Sequence, residues 1–153
     1  MELGPGSFTN LAGGVFEISG SGTLYPSLAN AGRLVMDGAN ENTSLRGAFT
    51  NTGTVEVTAG TLHVLGPFSN LAGSTLTGGR YDLRGTLHHE GQSIRTIAAD
   101  VTLAGAGSYL RSGTNQSVLD TLDTVAASGR FTVSEGRDFS MSNRGLTVDG
   151  EFV

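Results

Sequence analysis

Short stretches in which apolar and polar residues alternate run along the whole chain, with no helical spacing between them. The clearest are "GGVFEIS", "GRLVMDG", "GTVEVTAG", "GSTLTGG" and "RGLTVDG". Phe16 and Ile18, Leu34 and Met36, Val55 and Val57, Phe131 and Val133, and Leu146 and Val148 fall on one side of such segments. Glu17, Arg33, Asp37, Glu56, Thr58, Thr132 and Thr147 fall on the other. Side chains of a strand point alternately to its two faces, so the pattern predicts strands with the apolar set turned inward.

A recurring triplet sets the phase of these strands. Phe8-Thr9-Asn10, Leu28-Ala29-Asn30, Phe49-Thr50-Asn51 and Phe68-Ser69-Asn70 begin 20, 21 and 19 residues apart, and Met141-Ser142-Asn143 is a later copy. Two degenerate copies start at Ile94 and Leu122, with threonine in place of asparagine. A period of about 20 residues built from strands is the mark of a solenoid. The expectation is all-β, a single-stranded parallel β-helix of up to seven coils over residues 8–153, with residues 1–7 a leader or an appended remnant.

A leucine-rich repeat has a similar period but needs a leucine-spaced strand that this chain lacks. An antiparallel sandwich also alternates, but its hairpins need no constant phase. In a parallel coil stack, Asn10, Asn30, Asn51, Asn70 and Asn143 would form a ladder of amides one coil apart. Asparagine also suits an isolated left-handed turn, the simpler reading of the same positions. The longer intervals, 26 residues from Phe68 to Ile94 and 28 from Ile94 to Leu122, predict excursions from the coil near 78–93 and 105–121.

Composition narrows the functional classes. Glycine supplies 24 of 153 residues and cysteine none, so tight turns abound and neither disulfides nor thiolate metal sites hold the fold. All nine basic residues are arginine and the net charge is −5, a poor match to nucleic acid. No apolar run approaches the roughly 18 residues of a transmembrane segment, and the start lacks the order of a signal peptide.

The densest polar cluster is "RYDLR", which puts Arg80, Asp82 and Arg84 on one strand face. With His88 and Glu90 of "HHE" it forms a candidate surface binding patch. A metal site is not expected there, since neighbouring strand residues face opposite sides and ligands must converge. The glycine-rich "LAGAGSYL" and "SGSGTLY" lack the lysine and helix of a phosphate loop. No catalytic residue and no cofactor is assigned, because the carboxylates are scattered.

The repeat in "FTNTGTVEVTAGTLHV" and "GGRYDLRGTLHHEGQSIRTIAADVTLAGAGSYL" resembles passenger regions of bacterial autotransporter adhesins and two-partner-secretion filaments. The resemblance implies a right-handed parallel β-helix exposed outside a bacterial cell, a structural or adhesive segment of a longer protein. The absence of cysteine agrees with that setting. Expected partners are further copies meeting at open coil ends, and a host surface or glycan. The alternative is a carbohydrate-binding or polysaccharide-degrading β-helix.

Overall fold

The computed structural model describes residues 2–140 and 145–153. The chain winds into a β-solenoid of about 7 turns of ~21 residues each. Its first three coils have three strands apiece. Ser7–Asn10, Ser27–Asn30 and Phe49–Asn51 stack into a first sheet; Val15–Ile18, Arg33–Met36 and Thr54–Val57 begin a second; Gly22–Leu24, Asn42–Leu45 and Thr61–Val64 belong to a third. From the fourth coil the second sheet takes over part of the first one's path through the long strands Thr75–Leu83 and Thr96–Ala104. It continues through Thr124–Val125 and Arg130–Ser134 to Thr147–Val148 and Glu151–Phe152. The third sheet continues through Thr86–His89 and Tyr109–Ser112.

Parallel pairing stacks equivalent positions, so the alternation seen in sequence becomes columns. Phe16, Leu34, Val55, Tyr81, Val101, Phe131 and Phe152 follow one another in register through the second sheet. Leu62, Leu87 and Leu110 do the same in the third. These columns meet in one continuous core. Each fully buried side chain of this size contributes about 1.5–3 kcal/mol, which makes the core the main source of stability.

Close approach between coils explains much of the glycine. A Cβ on Gly53 would stand 2.1 Å from the Gly32 carbonyl oxygen, and one on Gly32 would stand 2.3 Å from that of Gly14. A second column, Gly47 and Gly66, is as tight, with 2.2 Å from Gly66 to the Gly47 oxygen. At these corners the backbones touch, and any side chain would push the coils apart.

Three expectations need correction. Glu2–Leu3 pairs with Thr23 and Leu24, and Ser7 with Ser27, so the stack begins before Phe8, inside the stretch expected to precede it. Residues 78–93 are not an excursion, because Arg80–Leu83 and Thr86–His89 lie in register with the coils on either side. The extra length of that coil lies earlier, where Leu71–Ala72 folds back antiparallel on Leu76 and Thr75 around Gly73. The second excursion starts later than expected, since Tyr109–Ser112 is regular coil. Its extra residues form the antiparallel Gln116–Ser117 and the short helix Val118–Thr121, capped by the Ser117 hydroxyl.

The third correction concerns the degenerate triplets. Thr96 and Thr124 are in register with Thr75 and Thr147, and both are half-exposed beside the buried Ile97 and Val125. They point outward and do not replace asparagine. Among the described residues, no helix is long and apolar enough to cross a membrane.

Candidate functional site

The asparagine triplets place a polar column inside the solenoid. The Asn10 amide donates to the Asn30 side-chain oxygen at 2.8 Å, and the Asn30 amide donates to that of Asn51, also at 2.8 Å. Asn70 changes the pattern. Its side-chain oxygen accepts from the Asn51 backbone N–H at 2.7 Å, while its amide donates to the Asn51 carbonyl at 2.7 Å. Asn10 and Asn30 also donate to the carbonyls of Arg33 and Thr54, which ties each triplet to the second-sheet strand of the next coil. All four asparagines are buried. Asn143, assigned to the same ladder from sequence, lies outside the described residues.

Tyr81 stands in the core column beside this ladder. Burial pushes its phenol well above its ordinary value, and the nearby Asn51 amide opposes the shift only in part. No hydrogen bond of good geometry reaches the hydroxyl, so it is buried and unpaired.

On the outer face of the second sheet the charges form columns as well. Arg80, Asp100, Arg130 and Glu151 succeed one another in register, and Glu56, Asp82 and Thr102 run alongside. Arg80 pairs with Asp82 at 2.8 Å and with Asp100 at 3.4 Å, and Arg33 pairs with Glu56 at 2.7 Å. Arg84 and Glu135 form a two-pronged pair that straddles the fifth coil, where the matching position is the small Ala104. Glu135 has φ +53 in the turn before Gly136, an uncommon backbone state for a residue of its kind. Between these groups lies a cavity of ≈ 290 Å³ lined by Glu56, Arg80, Asp82, Arg84, Thr102 and Glu135 among others.

Hydrogen bonds from Arg84 hold the Glu135 carboxyl below its ordinary value. A carboxyl held low is ionised near neutral pH and has no proton to give as a general acid. The cavity offers hydrogen bonding and charge of both signs.

The five residues of the expected patch divide between two faces. Arg80, Asp82 and Arg84 line this cavity on the second sheet, whereas His88 and Glu90 lie on the third sheet and the turn after it. There His88 follows His63 in register and meets its ring edge-on, with His88 Nδ1 3.2 Å from His63 Nε2, and Arg111 follows in the next coil. Burial, then the neighbouring His88, lowers the pKa of His63, and Glu90 opposes them. His89 points the other way, bonding the Val64 carbonyl at 3.1 Å and lying edge-on to Phe68. Among the described residues, no group of three or more histidine, aspartate or glutamate side chains is arranged to hold a metal ion.

Sequence reasoning missed Glu135 and Glu56 as neighbours of "RYDLR", because Arg84 and Glu135 are 51 positions apart and join coils that are not consecutive. The only local signal was the turn "SEG" that follows the strand of the sixth coil. Comparison with known protein families, curated proteins and solved structures finds no match to this chain, so its reading rests on its own geometry.

Proposed function

We propose that this chain is a structural segment, a rigid β-solenoid that sets distance and presents surface on a bacterial surface or secreted protein, with no catalytic chemistry of its own. The observation that carries the reading is the direction of its polar bonds, which run from coil to coil. Within the solenoid the asparagine ladder joins the first four coils. Outside it, five of the six ion pairs among the described residues link different coils, Arg80–Asp82 being the exception. Exposed pairs of this kind contribute only about 0–1 kcal/mol each, so their value lies in fixing register.

The likeness of the repeat to autotransporter and two-partner-secretion passengers supports a place outside a bacterial cell. Association of copies through the coil ends belongs to the same reading. It is supported by the exposed apolar side chains of Phe8, Leu11, Val15 and Val148.

A second reading, a carbohydrate-binding or polysaccharide-degrading module, is favoured by the cavity between Glu56, Arg84 and Glu135. Incubation with a panel of polysaccharides, followed by product analysis, separates the two. The structural reading expects no cleavage. Cleavage that disappears in Asp82→Ala or Glu135→Ala, both in that cavity, overturns it.

A further inference from the structure

Two arginines converge on one tyrosine at the corner between the second and third sheets, and among the described residues neither is matched by a carboxylate. Tyr109 opens a strand of the fifth coil. The guanidinium carbon of Arg111 lies 4.2 Å from its ring centroid, and that of Arg137, from the sixth coil, lies 4.4 Å away. Arg111 donates to the Asn115 carbonyl at 3.4 Å, and Arg137 donates to the Ala106 carbonyl at 3.4 Å. The Nε–H of Arg137 is buried with no acceptor.

This pairing runs against the habit of the molecule. With 14 acidic residues against 9 basic ones, acceptors are plentiful, and Arg33, Arg80, Arg84, Arg95 and Arg130 each have a carboxylate within 4 Å. Stacking on a ring occupies only the flat face of a guanidinium. Its five N–H donors lie in its plane, and one backbone carbonyl apiece leaves most of them free. Two like charges beside one ring repel, and a negative group placed between or beside them offsets that repulsion. The row behind Arg111 continues through His88 and His63, which bring no negative charge of their own.

We propose that Tyr109, Arg111 and Arg137 bind the anionic groups, carboxylate or sulfate, of an acidic polysaccharide. The cluster is spread over two coils with all three residues half-exposed, a shape that suits an extended chain better than a small enclosed ligand. Planar donors match a carboxylate or sulfate in two-pronged fashion. The cavity with Thr102 and Ser134 beside Arg84 and Glu135 is tied to the cluster through the backbone, where Tyr109 N–H donates to the Gly85 carbonyl and Arg137 N–H to that of Ser134, and it supplies partners for sugar hydroxyls. The net charge of −5 works against any polyanion alike, so binding must come from the two guanidiniums and not from the overall field. The site stands on the coil geometry alone and holds whether or not the segment serves as a spacer.

The test is calorimetric titration of the full chain with three size-defined oligosaccharides: a sulfated one of heparin type, a polygalacturonate and a neutral dextran. Binding of either acidic probe without binding of dextran is expected, and which one binds assigns sulfate or carboxylate. Arg111→Gln and Arg137→Gln should each weaken binding at least about tenfold, the scale expected for loss of a charge-assisted pair. Arg46→Gln, at an exposed arginine elsewhere, should leave it unchanged. Arg137→Lys keeps the charge but loses the planar fork, and should fall between wild type and Arg137→Gln, which carries the test if the glutamine variant fails to fold. The proposal is overturned if neither acidic probe binds, if the variants at Arg111 and Arg137 bind like wild type, or if Arg46→Gln weakens binding as much as they do.

Discussion

Asn70 holds both backbone groups of Asn51: its side-chain oxygen accepts from the Asn51 N–H and its amide donates to the Asn51 carbonyl, each at 2.7 Å. A side chain thus takes the place of a neighbouring strand where the first sheet ends. The rungs of the ladder should therefore differ in worth. Asn70→Leu strands two buried backbone groups and should cost on the order of 3 kcal/mol, whereas Asn10→Leu, in the first coil, should cost about 1 kcal/mol. Urea denaturation of the two variants gives the comparison. Equal losses within about 0.5 kcal/mol would show that the rungs do not differ in this way.

Tyr81→Phe should leave stability unchanged or raise it by up to about 1 kcal/mol, because it removes a buried hydroxyl that has no partner and keeps the ring in the core. A loss of more than about 1 kcal/mol on denaturation would mean that the hydroxyl is satisfied.

Gly53→Ala should be among the most damaging substitutions in the chain, since its Cβ would stand 2.1 Å from a backbone oxygen of the preceding coil. A loss above about 3 kcal/mol, or failure to fold, is expected. Gly107→Ala is the matched control. Its Cβ would meet nothing nearer than the Arg84 oxygen at 3.6 Å, so a change within about 0.5–1 kcal/mol is expected.

Acid should weaken the fold through His63. Its pKa in the fold is lowered from the ordinary 6.5, so below that pH the unfolded chain binds more protons than the folded one. Stability from this group is complete above 6.5 and falls as the pH drops below it. Denaturation midpoints at about pH 7.5 and about pH 5 should diverge in the wild type and converge in His63→Gln. An unchanged slope in the variant would assign the acid sensitivity to other groups.

The coil stack was legible in the sequence because equivalent residues in a parallel solenoid sit one period apart, so Asn10, Asn30, Asn51 and Asn70 announce their own contacts. Much of the inward set was legible for the same reason: Leu34, Met36, Val55 and Val57 are buried, whereas Val148, expected on the same face, is exposed. Legibility fails where the period fails. The folded-back Leu71–Ala72 and the helix Val118–Thr121 shift the phase, so Thr96 was matched to an asparagine position it does not occupy. Arg84 meeting Glu135, and Arg137 meeting Tyr109, depend on how far those insertions displace the later coils. Spacing alone does not encode that displacement.

The glycine corners make length a discrete quantity. Wherever Gly14, Gly32 and Gly53 let one backbone rest on the next, there is room for one coil and nothing in between. A duplicated stretch such as 27–47 would carry its own corner glycines, Gly32 and Gly47, its asparagine and its apolar pair, and would mesh with the copies above and below without repacking. Rods of this design would lengthen by whole-coil cassettes, in increments of about 4.8 Å, like a ruler graduated in coils.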